Sequence, residues 1–470
     1  MRGMTPVPRE HRRGGAEMSQ LESLRDILVA INPFSGLPPI LQTVYWVVFV
    51  TILISILSEL WLMAKGARAT SRHGSSGPAQ ATDDYLWVFV VPALNEETTI
   101  RDSVTRLQAV DVRHRRILVV NDGSEDGTGA VLDEITSASD DVLVLTRRPP
   151  SARQGKAAAL NAAYRHLLAE RSDPTSSLAQ FDEAHTVIVI VDADGRLEPD
   201  APRAVTPHFD DARVGGVQVL VRIYNRARVL PWVQDLEFAV FGWVYQRGRS
   251  ALDTANMGGN GQFNRLSALQ SIADECGPWR NRLTEDQDLG VRLLEQGWKG
   301  RQENSTWVSQ QGLSSLRRLY RQRVRWSQGT WQALRLIAQP RTGMRPLARA
   351  DQIWYLLTPC TQALVGATVA LSVVYVAIDI EHLHIAVITG VMFYLMSFAP
   401  GVAAMLASLR GNGPWRVLLA IALAHCFVIY SWIIYPVVYQ AALRQLLHRQ
   451  SWSKTAREPI DDDPALSLSV

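Results

Sequence analysis

Apolar residues are not spread evenly along the chain. Residues 43–64 (TVYWVVFVTILISILSELWLMA) stay apolar with Glu59 as the only charge. A run of about 20 such residues crosses a bilayer core of roughly 30 Å. Three further runs, 353–378, 385–409 and 417–442, are long enough to do the same and carry no ionised side chain in their central parts. Lys and Arg lie mainly between or outside these runs. A buried helix of a soluble domain is rarely so long and so apolar, so four membrane-spanning helices are expected. The first run begins too far along, is too long and lacks a small-residue cleavage site for a removed signal peptide, so it reads as a permanent anchor. Within the N-terminal segment 1–42, residues 20–34 (QLESLRDILVAINPF) are short and amphipathic, suited to lying along a membrane surface. Residues 65–84 are rich in Gly, Ser, Ala and charge and read as a linker.

From Tyr85 onward the pattern changes. Short β-branched runs (86–93, 115–122, 141–147 and 186–194) alternate with helical stretches at 96–109, 126–138 and 155–170. Continuous apolar strands between helices predict a parallel α/β sheet. Three of these strands end in polar clusters: Asn95-Glu96, Asn121-Asp122-Gly123 and Asp192-Ala193-Asp194. Ligands of open α/β sheets lie outside the carboxyl ends of the strands, so these clusters converge on one mouth. This domain is expected to run over 85–312. Residues 313–349 follow, with Arg and Trp interleaved among Leu at helical spacing. Such helices suit the membrane interface, where Arg reaches phosphates and Trp sits between water and lipid. Residues 443–470 form a short C-terminal tail.

Composition adds little until it is resolved along the chain. The 470 residues are enough for two or three units, with 47% hydrophobic and 20% charged. That apolar content excludes a disordered or collagen-like chain. A mean hydropathy near zero is then the average of a polar domain and four apolar spans. The net charge of +3 is too small to argue for a nucleic-acid partner, and the Arg excess is local to 313–349. Three cysteines build no disulfide framework and read as apolar fillers.

The chemistry lies in five places. Asp192 and Asp194 follow a buried strand. Paired carboxylates there suit a hard divalent cation, Mg²⁺ or Mn²⁺, whose shell is completed by substrate phosphates, although Asp-x-Asp also occurs on solvated loops. Asp122 is either a turn or capping residue or an acceptor for a nucleobase N–H. Lys156 opens an Ala-rich helix against the preference of the dipole; a phosphate there would explain it, and an exposed lysine is the alternative. Glu285, Asp286 and Asp288 precede another helix. Capping accounts for one or two acids, and a third could take a hydroxyl proton as general base. Gln322 and Trp326 stand one turn apart with Arg325 beside them, a set able to stack on a sugar ring and hold a diphosphate.

Taken in order, VVPALNEE (90–97), VVNDGSEDGT (119–128), QGKAAALN (154–161), VDADG (191–195), GGNGQFNR (258–265), TEDQDLG (284–290) and QRVRW (322–326) resemble family 2 glycosyltransferases. These are inverting enzymes with a GT-A fold. The QxxRW form with flanking apolar helices is similar to the membrane-bound synthase branch, which makes cellulose, chitin, hyaluronan and poly-N-acetylglucosamine and includes some glycolipid enzymes. The resemblance covers about residues 85–330. It implies a Rossmann-like GT-A domain with a transmembrane helical bundle. It also implies that Ala93, Glu96 and Asp122 contact the uridine of a UDP-sugar, and that Lys156 lies near the nucleotide. Asp192 and Asp194 would hold the metal, with Asp194 the more direct ligand. Gly258 to Gly261 would lie near the donor sugar or acceptor. Asp286 would be the base, Arg325 would hold the diphosphate, and Gln322 and Trp326 would hold the acceptor end.

The expected activity is transfer from a UDP-sugar to a growing β-linked polysaccharide, with a glycolipid synthase as the alternative. The partners expected are the donor, a glycan or lipid acceptor, membrane lipids and an accessory membrane or export protein. A dead transferase scaffold is disfavoured by the complete set of acids. A dinucleotide dehydrogenase is disfavoured by the Gly spacing of 122–129. UDP-sugars are cytosolic, so a multi-pass cell-membrane protein with a cytoplasmic catalytic domain is expected. The loop 379–384, without Lys or Arg, would lie outside, and 410–416, with two Arg, inside. Both termini are Arg-rich and conflict with that rule if 43–64 is a single crossing.

Overall fold

The computed structural model describes residues 37–70, 82–339, 343–378 and 413–449, with single positions near these segments. The described residues divide into two compact units, with boundaries at Ile56/Leu57, Ala363/Leu364 and Ala399/Pro400. In the smaller unit, the Tyr45 hydroxyl and Ser372 Oγ are 2.5 Å apart. Phe34 packs against Tyr45 and Trp46 with ring centroids 5.3 and 5.4 Å away.

The larger unit contains one eight-stranded sheet: β1 (Leu86–Ala93), β2 (Arg115–Asn121), β3 (Val142–Thr146), β4 (Thr186–Ile190), β5 (Arg196–Leu197), β6 (Val214–Ile223), β7 (Gln262–Arg265) and β8 (Lys299–Gln310), in the order β3-β2-β1-β4-β7-β6-β8-β5. The first half is parallel, as its unbroken apolar strands predict. Trp87, Phe89 and Val91 fill one face of the sheet, while Val88 and Val90 fill the other. The second half, beyond the four strands expected from sequence, is mixed. There β7 runs antiparallel to β4 and β6, and β5 antiparallel to β8.

After α1 (Pro39–Thr70), the helices bearing on the site are α2 (Ile100–Gln108), α3 (Thr128–Ala138) and α4 (Lys156–Arg171) between the first strands; α5 (Ala201–Phe209), α6 (Val229–Val240), α7 (Arg247–Ser250) and α8 (Leu266–Ile272); then α9 (Glu285–Glu295) and α10 (Leu316–Ala333). Their order places a topological switch between β1 and β4: β2 and β3 build outward on one side and β7 on the other. A ligand crevice opens at such a switch, outside the carboxyl ends of the strands.

Two described helices are long and apolar enough to cross a membrane, Pro39–Arg68 and Pro414–Leu446. A third crossing requires joining Pro346–Leu356 to Thr358–Val374, which are bent by 51°. The expected span 353–378 thus contains a bend near Leu357. Pro359 is the second residue of the later helix, where proline is tolerated but cannot continue the helix before it. The earlier helix is tied down by the Asp351 carboxylate, which accepts from Arg249 at 2.9 Å with both side chains buried. The expected span 417–442 lies within Pro414–Leu446, with a two-residue turn at Trp432-Ile433 between Pro414–Ser431 and Ile434–Leu446. The run 385–409 and segment 20–34 lie almost wholly outside the described residues.

The linker at 65–84 is corrected at its start. The first helix runs from Pro39 to Thr70, because Ala, Lys and Arg are good helix formers that extend it beyond the apolar stretch. Residues 313–349 are also more than a surface element. One face of α10 packs Val324 against Val437 and Ala441, and Arg323, Gln328 and Gln332 are buried.

Candidate active site

The strand ends and α10 enclose one cavity of about 510 Å³. Ala93, Glu96, Asp122, Lys156, Asp192, Asp286, Gln322, Arg325 and Trp326 all line it, so residues more than 230 positions apart in sequence share one wall system. The volume is ordinary for a site holding one small ligand.

The β1 and β2 ends supply the first wall. Glu96 is buried, with its Oε2 accepting from Thr99 Oγ1 at 3.0 Å and its backbone N–H donating to Thr128 Oγ1 at 2.7 Å. Asp122 Oδ1 accepts from Arg147 Nη1 at 2.5 Å and from the Arg153 N–H at 3.1 Å. Arg147 was not among the residues singled out from sequence. Its signal is positional, since it follows β3 as Asp122 follows β2. Both side chains of this pair are over 90% buried, so removing one partner strands the other. Arg147→Ala is expected to cost about 3 kcal/mol of stability, read as a lower melting temperature.

The second wall is electrostatic. Lys156 begins α4, and its Nζ donates to Asp192 Oδ1 at 2.6 Å and to the Gly259 carbonyl at 3.0 Å, with Glu285 Oε1 3.7 Å away. These carboxylates lie around the lysine at this helix start. Burial works against the ammonium, but Asp192, Glu285 and Asp286 outweigh it and hold its pKa above the ordinary lysine value. Burial raises the carboxyl of Asp286 above the usual carboxylate range, with Lys156 opposing it. Burial likewise pushes Glu285 up to about 7. Glu285 and Asp286 thus form an adjacent acidic pair in the first turn of α9, facing one cation.

Asp194 stands apart from this wall. It is 3% exposed, does not border the cavity, and its Oδ2 accepts from the Gln311 N–H at 3.0 Å. Asp192 is therefore the more accessible carboxylate of the pair. Among the described residues no group of three or more His, Cys, Asp or Glu side chains is arranged to hold a metal.

Gly258 and Gly259 border the cavity, and Gly261 does not. Gly259 has φ of 79°, and a Cβ there would lie 2.8 Å from Asp286 Oδ2. Gly259→Ala is accordingly expected to displace the Asp286 carboxylate and lower turnover by about tenfold to a hundredfold, measured as UDP release.

The third wall comes from α6, α10 and the apolar helices. It brings Glu237, Phe238, Phe241, Tyr355, Gln362 and Ile434 into the cavity beside Gln322, Arg325 and Trp326. Sequence reasoning did not single these out. Glu237 carried a usable signal as the acid that directly precedes the apolar run FAVFGWVY.

A sheet switch point lined by acids, with a Lys between them and an Arg-Trp helix opposite, makes up the candidate site of this α/β frame. The chain belongs to the glycosyltransferase like family 2, whose family model matches residues 87–329. Among curated relatives, it is 31% identical over 250 residues to a beta-monoglucosyldiacylglycerol synthase of Synechocystis, covering 52% of this chain and 47% of that protein. It is 26% identical over 248 residues to a poly-beta-1,6-N-acetyl-D-glucosamine synthase of Staphylococcus aureus, covering 52% and 55%. The chain thus spans about half the length of the curated relatives it matches. A solved mannosyltransferase from Pyrobaculum calidifontis, in complex with GDP-Man and Mn²⁺, superposes with a TM-score of 0.53 at 18% identity, over 87% of this chain and 100% of that one. That likeness supports the GT-A fold.

Proposed function

We propose that this protein transfers a sugar from a UDP-sugar to a hydroxyl of a β-linked glycan at a membrane surface, with inversion at the anomeric carbon. The observation that carries the reading is the meeting of Asp286, Lys156 and Asp192 with Gln322, Arg325 and Trp326 in one cavity. A base, a cation and a sugar-stacking ring are the parts that such a displacement needs.

In this reading Glu96 and Asp122 receive the uridine, next to Ala93, which leaves room for the base. Asp286 accepts the proton of the acceptor hydroxyl as its oxygen attacks the anomeric carbon and the bond to UDP breaks. Lys156 and Arg325 balance the charge that develops on the departing diphosphate. Trp326 offers a ring face to the acceptor sugar, and Gln322 a hydrogen-bonding amide.

The residues also suit a divalent cation in part. Asp192 borders the cavity and Asp194 lies behind it, an oxygen-only pair of the kind Mg²⁺ or Mn²⁺ uses when phosphates and water fill the rest of its shell. Asp192 and Asp194 would hold it, and it would supply charge neutralisation at the diphosphate.

A second reading, transfer to a membrane lipid, is favoured by one observation. Ile434, within the candidate span Pro414–Leu446, and Gln362, within the bent helix pair, border the same cavity as Asp286. The two readings separate by product. Incubating membranes with a panel of radiolabelled UDP-sugars yields material that grows in size and stays in the aqueous phase in the first case, and a lipid-extractable product of one or two sugars in the second. The site is proposed to face the cytoplasm of a multi-pass cell-membrane protein, where UDP-sugars are available. An accessory membrane or export protein would then receive the product.

A further inference from the structure

The third wall of the cavity contains an ionic cluster that the transfer chemistry above does not use. Glu237, near the end of α6, places one carboxylate oxygen, Oε2, against two donors. Arg323 Nη2 donates to it at 2.5 Å, and the Tyr430 hydroxyl donates to it at 2.8 Å. Arg323 Nη2 also reaches the Tyr430 hydroxyl at 3.2 Å. The same guanidinium lies over the Trp326 ring, 4.3 Å from its centroid, and Phe238 meets that ring edge-on at 6.4 Å. Three helices, α6, α10 and Pro414–Ser431, are thereby fastened around one indole.

Two features set this cluster apart from a plain structural ion pair. The Arg323 side chain is 6% exposed, whereas that of Glu237 is 34% exposed, and both residues border the cavity. Both hydrogen bonds to Glu237 use Oε2, and Oε1 takes none among the described residues. A carboxylate held rigidly through one oxygen and open through the other, next to an aromatic face, is the combination that binds a sugar ring: the ring stacks and a hydroxyl donates to the carboxylate. A bare alcohol offers nothing for the ring face and no second hydroxyl.

We propose that Glu237 is an acceptor-binding residue, fixed by Arg323 and Tyr430, that selects acceptors ending in a sugar ring on Trp326. This rests on reading the cavity as a glycosyl-transfer site. Arg323 and Tyr430 act through Glu237 and Trp326 and are positioning residues.

The test uses the full chain in detergent or nanodiscs with two amphiphilic acceptors of equal chain length, octyl β-glucoside and dioctanoylglycerol, and UDP release as readout. Wild-type protein is expected to favour the glycoside by tenfold or more in kcat/KM. Glu237→Gln should raise the KM for the glycoside by about tenfold, the loss of one charge-assisted hydrogen bond, while the donor KM moves less than twofold. Tyr430→Phe should raise the same KM by a smaller factor and keeps the test open if Glu237→Gln does not fold.

Equal use of both acceptors by wild-type protein overturns the proposal. So does a fall in kcat with an unchanged glycoside KM and a lowered melting temperature, which is the mark of a purely structural pair. Absence of UDP release from wild-type protein with every donor overturns the transfer reading itself, a failure distinct from the other two.

Discussion

Asn in place of Asp286 is expected to lower transfer by about a hundredfold to ten-thousandfold, while UDP binding measured by calorimetry stays within a few-fold of wild type. The amide keeps the shape of the carboxylate and its place at the start of α9 but cannot take a proton. The charge state gives a second signature. Burial raises the Asp286 carboxyl above the ordinary range, and the base must be ionised to work. The wild-type kcat/KM should therefore fall as pH falls through this raised pKa, placing the acid limb above the range of a solvent-exposed aspartate. Asp286→Asn should lose that limb. Near-wild-type turnover in this variant would remove Asp286 from the mechanism.

The second large effect belongs to Lys156. Its ammonium is the shared cation of Asp192, Glu285 and Asp286, so Lys156→Met leaves three carboxyls facing one another. Two outcomes are expected. The kcat/KM should drop by about a hundredfold or more, because a cation near the diphosphate is lost. The surviving activity should show its acid limb at higher pH than wild type, because Lys156 favours the ionised form of Asp286 and its removal lets the pKa rise further. An acid limb that stays put or moves down would show that the lysine and the base do not share a field.

Much of the site was readable because its parts sit where strands stop. Asp122 and Asp192 each follow an unbroken apolar strand, and that transition from buried to polar is a sequence signal. The parallel half of the sheet was visible for the same reason. The other half was not, because β8 carries its buried face in polar residues. Gln302, Asn304 and Thr306 are buried, with Gln302 Nε2 donating to Asn304 Oδ1 at 2.8 Å and Asn304 Nδ2 to the Gly242 carbonyl at 3.0 Å. Hydropathy cannot find a strand whose inward side chains are satisfied by hydrogen bonds. The unequal exposure of two nearby carboxylates was also not legible in sequence. Asp192 and Asp194 differ by two positions, but the N–H of Gln311, from a segment more than 110 residues later, draws Asp194 off the cavity. Arg323 was read as one of several interfacial arginines. Its burial depends on Glu237 and Tyr430, which no local spacing connects to it.

The central claim is a single in-line displacement at a UDP-sugar, with Asp286 as base. Its most direct test is the anomeric configuration of the first bond formed. The full chain in membranes is supplied with α-linked UDP-sugars labelled at the anomeric carbon, and the product linkage is read by NMR alongside UDP release. The account predicts a β-linkage with one UDP released per sugar transferred. An α-linked product, or transfer without stoichiometric UDP, would contradict it.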